Sequence, residues 1–214
     1  MMRTAAKKGM AVPKRDIAIF DLGGVLLDWN PRHLYRKLFP GDDVAMEHFL
    51  ATVCTNEWNR RQDAGQLCAE AARLLKAEHP DKSTLIDAYY RRFDEMIAGP
   101  IDGTVAILAE LRKRKTPLYF LSNYSAETFR SAPGRFEFLS WFDGGVISGE
   151  VGVLKPEPEI YTLLVARFGI DPQRAVFIDD VAANAEGGRA LGIHGIHFTG
   201  PKALRAELAA LGIL

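Results

Sequence analysis

Cysteine is nearly absent from this chain of 214 residues: Cys54 and Cys68 are the whole complement. Two cysteines without metal-type spacing make neither a disulfide framework nor a thiolate metal cage, so both read as reduced core thiols. Net charge is absent as well, since 27 basic residues face 27 acidic ones. Nothing in that balance favours nucleic acid or an anionic membrane as a partner. No segment is long and apolar enough to cross a bilayer. The N-terminal stretch holds Arg3, Lys7, Lys8, Lys14 and Arg15 but not the apolar core that a secretory signal needs. Residues 1–14 therefore read as a flexible extension and the protein as cytoplasmic.

What the chain holds instead is a rhythm. Its length suits one sizeable domain carrying a modest insertion, and 48% hydrophobic with 25% charged residues is a globular composition. Five short apolar runs, at 17–20, 118–121, 145–147, 175–178 and 195–198, alternate with helical patterns near 102–114, 125–131, 157–168, 182–191 and 201–211. Asp102 is placed to cap the first of these helices, and Gly169 and Gly192 to end the third and fourth. Strands alternating with helices predict parallel βαβ units, an α/β fold of the Rossmann-like, doubly wound kind. One interval breaks the rhythm. Residues 29–98 contain no convincing strand and read as a helical insert between core segments 15–28 and 99–214. Asn30 before Pro31 predicts a helix start, Asp42 and Asp81 further caps, and Leu85, Tyr89, Phe93 and Met96 or Ile97 recur at helical spacing.

The chemistry gathers where these strands end. The run 17–20 leads straight into Asp21, then Leu22-Gly23-Gly24-Val25. In an open α/β sheet the carboxyl ends of the strands are where ligands bind. The second run leads into Ser122-Asn123, the fourth into Asp179-Asp180 with Asn184 four residues on, and Lys155-Pro156 lies before that pair. Clustered Asp21, Asp179 and Asp180 would repel one another unless a cation neutralised them, and oxygen ligands of this kind select Mg²⁺. Ser122 and backbone N–H groups suit the non-bridging oxygens of a phosphate, Lys155 adds fixed positive charge, and one carboxylate can serve as nucleophile.

In order and context, Asp21 with Gly24-Val25, Ser122-Asn123, Lys155-Pro156 and Asp179-Asp180 with Asn184 resemble the four motifs of the haloacid dehalogenase (HAD) superfamily. The resemblance spans essentially the whole chain after the extension. It implies a core sheet of order 5-4-1-2-3 and makes the insert a C1 cap that closes over the site. It also implies Asp21 as nucleophile and Mg²⁺ ligand, Lys155 as the residue positioning nucleophile and phosphate, and Ser122 as phosphate ligand, with Asn123 and Gly23 beside the substrate. Asp179 and Asp180 join the Mg²⁺ site, as does the Gly23 carbonyl. The stretch from Phe20 to Asn30 is most similar to bacterial phosphatases acting on sugar phosphates such as glucose 1-phosphate. The implied reaction is Mg²⁺-dependent hydrolysis of a small phosphorylated metabolite through an aspartyl-phosphate. The resemblance says nothing about oligomeric state.

One departure matters. Most HAD phosphatases carry a second Asp where this chain has Gly23, and that side chain protonates the leaving oxygen. Three outcomes are open: another group such as Asp28, Glu57 or Asp63 substitutes; the leaving group needs little protonation; or the protein is a weak enzyme. Rival readings are a 2-haloacid dehalogenase, disfavoured by the acidic pair 179–180, and a catalytically weak HAD-fold binding protein. A receiver domain is disfavoured because its acidic pair comes first in the chain. Trp29 and Tyr124 are expected to pack rather than touch substrate, while the stretch 58–65 is as suited to a substrate role as to a plain core. His194 and His197 fall on opposite faces of a strand and do not form a metal pair. Arg112 to Lys115 suit a helix C-terminus rather than a nucleic acid.

Overall fold

The computed structural model describes residues 14–214, so the extension expected over 1–14 lies, except for Lys14, outside the described residues. The chain enters through β1 (Ile17–Phe20) and a short β2 (Leu27–Trp29), then runs through α1 (Arg32–Leu38), α2 (Asp43–Thr52), α3 (Asn56–Asp63), α4 (Cys68–Glu78) and α5 (Ser83–Arg91). It returns by β3 (Ile97–Pro100) to α6 (Asp102–Lys113) and β4 (Leu118–Ser122). Next come α7 (Ala126–Phe129), α8 (Ala132–Arg135), β5 (Gly144–Ile147), α9 (Ser148–Val151), α10 (Pro158–Phe168), β6 (Ala175–Asp179), α11 (Ala182–Ala190), β7 (His194–His197) and α12 (Pro201–Ala210).

β5, β4, β1, β6 and β7 form, in that spatial order, one parallel sheet. Counting core strands along the chain gives 3-2-1-4-5, the expected order seen from its other edge. Helices cover both faces, so the central strands are apolar at consecutive positions rather than alternately. On one face Ala18, Phe20, Val176 and Ile178 meet Ile107, Leu108, Leu204 and Leu208. On the other Ile17, Ile19 and Phe177 meet Ile160, Tyr161 and Leu164 of α10. Gly169, left-handed at φ +63°, ends α10 as expected.

Helices α1–α5 pack around their own aromatic centre, with Tyr35 5.1 Å from Phe49 and Trp58 5.0 Å from Tyr89, ring centre to ring centre. The insert leaves and rejoins the core through β2 and β3, an antiparallel pair the sequence did not announce. It is seated on the core by polar contacts. Ser148 Oγ donates to the Asp63 carbonyl at 2.6 Å, Cys68 N–H donates to Glu127 at 3.0 Å, and Arg135 meets Asp94 at 2.7 Å.

Helix starts differ in detail. Asn30 does cap α1, accepting from Arg32 N–H, and Asp42 caps α2, accepting from Ala45 N–H. Asp81 caps nothing: Pro80 opens a single 3₁₀ turn there and the Asp81 carboxylate pairs with Lys82. Asp102 is the first residue of α6 rather than its cap. The helix expected at 125–131 is shorter, α7 spanning Ala126–Phe129 after a Ser125 cap, and α8 follows beyond the expected range as a separate turn with Pro133 near its start. Both cysteines are buried free thiols. No helix among the described residues is long and apolar enough to cross a membrane.

Candidate active site

The sheet register brings the chemistry together. Phe20 pairs with Phe120 on one side and Ile178 on the other, so Asp21, Ser122 and Asp179 emerge side by side at the carboxyl ends of three adjacent strands. Asp21 Oδ1 accepts from Ser122 Oγ and from the Leu22 N–H, each at 2.7 Å, which fixes the carboxylate's rotation. Asp21 Oδ2 faces Lys155 Nζ at 2.9 Å, and the same ammonium donates to Asp179 Oδ2 at 2.6 Å. Lys155 is fully buried. Asp179 Oδ1 in turn accepts from Val181 N–H at 2.8 Å and from Asn184 Nδ2 at 3.0 Å.

Lys155 is aimed from an irregular segment, and Asn123 does the aiming. Its amide donates to the Lys155 carbonyl at 3.0 Å and accepts from the Lys155 N–H at 2.8 Å. The Asn123 side chain is thus committed to the backbone of Lys155, while the residue also lines the neighbouring cavity. Nothing in the dipeptide Ser122-Asn123 announces that clamp, since its partner lies 32 residues away.

Asp21, Asp179 and Asp180 each offer one oxygen, all within 4.8 Å of one another. With Lys155 the only lysine or arginine paired with this trio among the described residues, two negative charges stand uncompensated there, the charge of one divalent cation. The strain is visible in Asp21: burial pushes its carboxyl up to about 7, Lys155 pulls against that, and Asp179 pushes further. Lys155 is pulled down by burial, but Asp21 and Asp179 more than offset this and leave it raised. An all-oxygen donor set with excess negative charge fits a hard cation such as Mg²⁺.

The two glycines after Asp21 do different work. Gly24 has φ +72°, and a Cβ there would overlap the Asp180 carboxylate, so the loop can approach that acid only with glycine. Gly23 meets nothing within 4 Å of where its Cβ would lie and has no left-handed backbone. The bridge between Gly23 and Leu27 uses the Leu22 carbonyl and the Gly24 N–H, leaving the Gly23 peptide groups out.

Gly23 opens onto a cavity between insert and core, lined also by Trp29, Asn59, Asp63, Tyr90, Phe93, Asn123, Tyr124, Ser125 and Thr128. Trp29 and Tyr124, expected to pack, both border this space. The Trp29 Nε1 and the Tyr124 hydroxyl are buried without a partner, so each is a spare hydrogen-bonding group. Of the stretch 58–65, Asn59 and Asp63 reach the cavity, whereas Trp58 packs on Tyr89. The other acids considered do not border it: Asp28 bonds His33 on the surface and Glu57 faces Arg61. His194 and His197 take no part in the acidic cluster, although His197 Nε2 lies 3.1 Å from the Asp180 carbonyl.

Comparison with known proteins agrees with this geometry. A family model described as haloacid dehalogenase-like hydrolase matches residues 16–192. The chain is 24% identical to a sesquiterpene phosphatase of Aspergillus oryzae, over 91% of this chain and 95% of that one. It is 23% identical to a phosphorylated carbohydrates phosphatase of Thermotoga maritima, over 85% and 84% of the two chains. Among solved structures it resembles a HAD-family enzyme of Bacteroides thetaiotaomicron in complex with magnesium and inorganic phosphate. The TM-score is 0.63 at 25% identity, covering 84% of this chain and 91% of that one.

Proposed function

The chain belongs to the haloacid dehalogenase-like hydrolases, and we propose that within them it is a Mg²⁺-dependent phosphomonoester hydrolase working through a phosphorylated Asp21. The observation that carries this reading is the convergence of Asp21, Ser122, Lys155, Asp179 and Asp180 at three adjacent strand ends. Asp21, Asp179, Asp180 and the Gly23 carbonyl would hold the cation, which would offset phosphate charge during in-line attack. The chain's own groups do the rest. Ser122 and Leu22 N–H hold the Asp21 carboxylate in one orientation, and that carboxylate attacks phosphorus as the bond to the leaving oxygen breaks. Lys155 keeps a positive charge beside nucleophile and phosphoryl oxygens, at an angle set by Asn123. Water then attacks the acyl phosphate, freeing inorganic phosphate and regenerating Asp21. Residues 29–98 serve as the cap, which excludes bulk water while the phosphoryl group moves.

The cavity beyond Gly23 supports a small substrate. No lysine or arginine among the described residues lines it, which suits a leaving alcohol without a second phosphate. Aromatic walls from Trp29, Tyr90, Phe93 and Tyr124, interspersed with Asn59, Ser125 and Thr128, suit a compact hydroxyl-bearing ring. Sugar phosphates are therefore the first candidates, in keeping with the relative in T. maritima.

The test is phosphate release from a panel of phosphorylated metabolites, with Mg²⁺ and with EDTA, by the protein and by Asp21→Asn. Mg²⁺-dependent release abolished by the substitution is expected. Chloride release from 2-haloacids in EDTA would instead favour the dehalogenase reading. Identical rates for both proteins would favour a binding protein.

A further inference from the structure

We propose that Asp63, contributed by the cap, gives the leaving oxygen the proton that Gly23 cannot. The proposal rests on the phosphatase reading and adds the acid which that reading lacks. Asp63 ends α3 and is buried, yet the residue lines the cavity onto which Gly23 opens. A neutral donor holds its carboxylate, Asn59 Nδ2 at 2.9 Å. Asn59 is held in turn by the Tyr89 hydroxyl at 3.0 Å. The Asp63 carbonyl receives Ser148 Oγ from the core, so the residue is pinned on both sides of its carboxyl group. The carboxyl is buried, forms no salt bridge among the described residues, and is fixed by a relay of side chains at the site's cavity.

Its environment suits a proton donor. Burial pushes the carboxyl up to about 7, against the pull of Arg60 on its own helix, the Ser125 N–H and Lys155. The other titratable groups facing it are Cys68 from α4, Tyr89 and Tyr90 from α5, and Tyr124 after β4, none of them cationic. In the first step the Asp63 carboxyl passes its proton to the leaving oxygen as the P–O bond breaks, and the alcohol departs neutral. In the second, the Asp63 carboxylate accepts a proton from the water that attacks phosphorus. Inorganic phosphate leaves, Asp21 is restored as carboxylate, and Asp63 is again protonated.

The experiment sets the best alkyl or sugar phosphate found for the enzyme beside p-nitrophenyl phosphate, whose phenolate leaves without a proton. A positioned acid contributes about 10²–10⁴-fold, so Asp63→Asn should lower the alkyl-to-aryl ratio of kcat/KM, which reports the leaving-group step, by about 100-fold or more. A general loss of structure would lower both rates together and leave the ratio unmoved. Gly23→Asp has open space for its side chain, and adding it to Asp63→Asn should raise the alkyl rate again. An unmoved ratio, or a second substitution that restores nothing, overturns the role of Asp63. Failure of the unsubstituted protein to hydrolyse either ester with Mg²⁺ overturns the phosphatase reading itself, and this role with it.

Discussion

Replacing Lys155 by methionine probes the site's electrostatics most severely. The lysine is fully buried, with Nζ 2.9 Å from Asp21 and 2.6 Å from Asp179. Methionine fills much the same volume, so the change removes charge more than packing. Two buried carboxylates are then left facing each other without their cation. Breaking a buried ion pair by removing one partner costs about 3–5 kcal/mol. For a domain of this size that corresponds to a fall in Tm of roughly 6–20 °C. The sign of the pH dependence follows from the carboxylates. Burial already pushes the Asp21 carboxyl up to about 7, and losing Lys155 raises it further. A carboxyl whose folded-state pKa lies above its unfolded value of about 3.9 favours the folded state at low pH and loses that contribution as pH rises. The deficit of Lys155→Met should therefore be largest near about pH 8 and shrink toward about pH 5. Millimolar Mg²⁺ should recover part of it by supplying the missing positive charge. Urea unfolding at both pH values, in EDTA and in Mg²⁺, measures all of this. A deficit below about 1 kcal/mol at the higher pH in EDTA, or one that grows on acidification, would refute the reasoning.

Two further substitutions test neighbouring parts. Gly24→Ala forces a Cβ into the Asp180 carboxylate at φ +72°, so the thermal stabilisation given by Mg²⁺ should be largely lost; a Mg²⁺-induced Tm rise equal to that of the parent would contradict it. Ser148→Ala strips a buried hydroxyl that donates to Asp63 and accepts from Tyr124 N–H at 3.0 Å. It should cost about 1–3 kcal/mol in urea unfolding, and a loss within experimental error would show that this hydroxyl contributes nothing to holding α3 against the segment after β4.

The sheet and the acidic corner were legible because both depend on local pattern. A strand buried on both faces is a continuous apolar run, and the runs ending at Asp21, Ser122 and Asp179 needed no partner to be recognised. The β2–β3 pair carries no such signal: Leu27–Trp29 and Ile97–Pro100 are short, mixed in polarity and include Gly99 and Pro100. They pair because the insert must leave and re-enter the core at one place. Asp81 failed as a cap because Pro80 set a tighter turn. The clamp of Asn123 on Lys155 and the reach of Asp63 into the cavity are contacts between segments far apart in the chain. The sequence could offer Asp28, Glu57 and Asp63 as substitute acids, but only packing separates the one that borders the cavity from the two on the surface.

The most direct test of the central claim is to catch the phosphoryl group on the enzyme. The protein is mixed with a turned-over phosphate ester and Mg²⁺, quenched in acid within one turnover, digested, and read by mass spectrometry. A phosphorylated peptide containing Asp21 is expected, absent from Asp21→Asn and absent when EDTA replaces Mg²⁺. Phosphate on another residue, or steady hydrolysis that Asp21→Asn leaves intact, would contradict it.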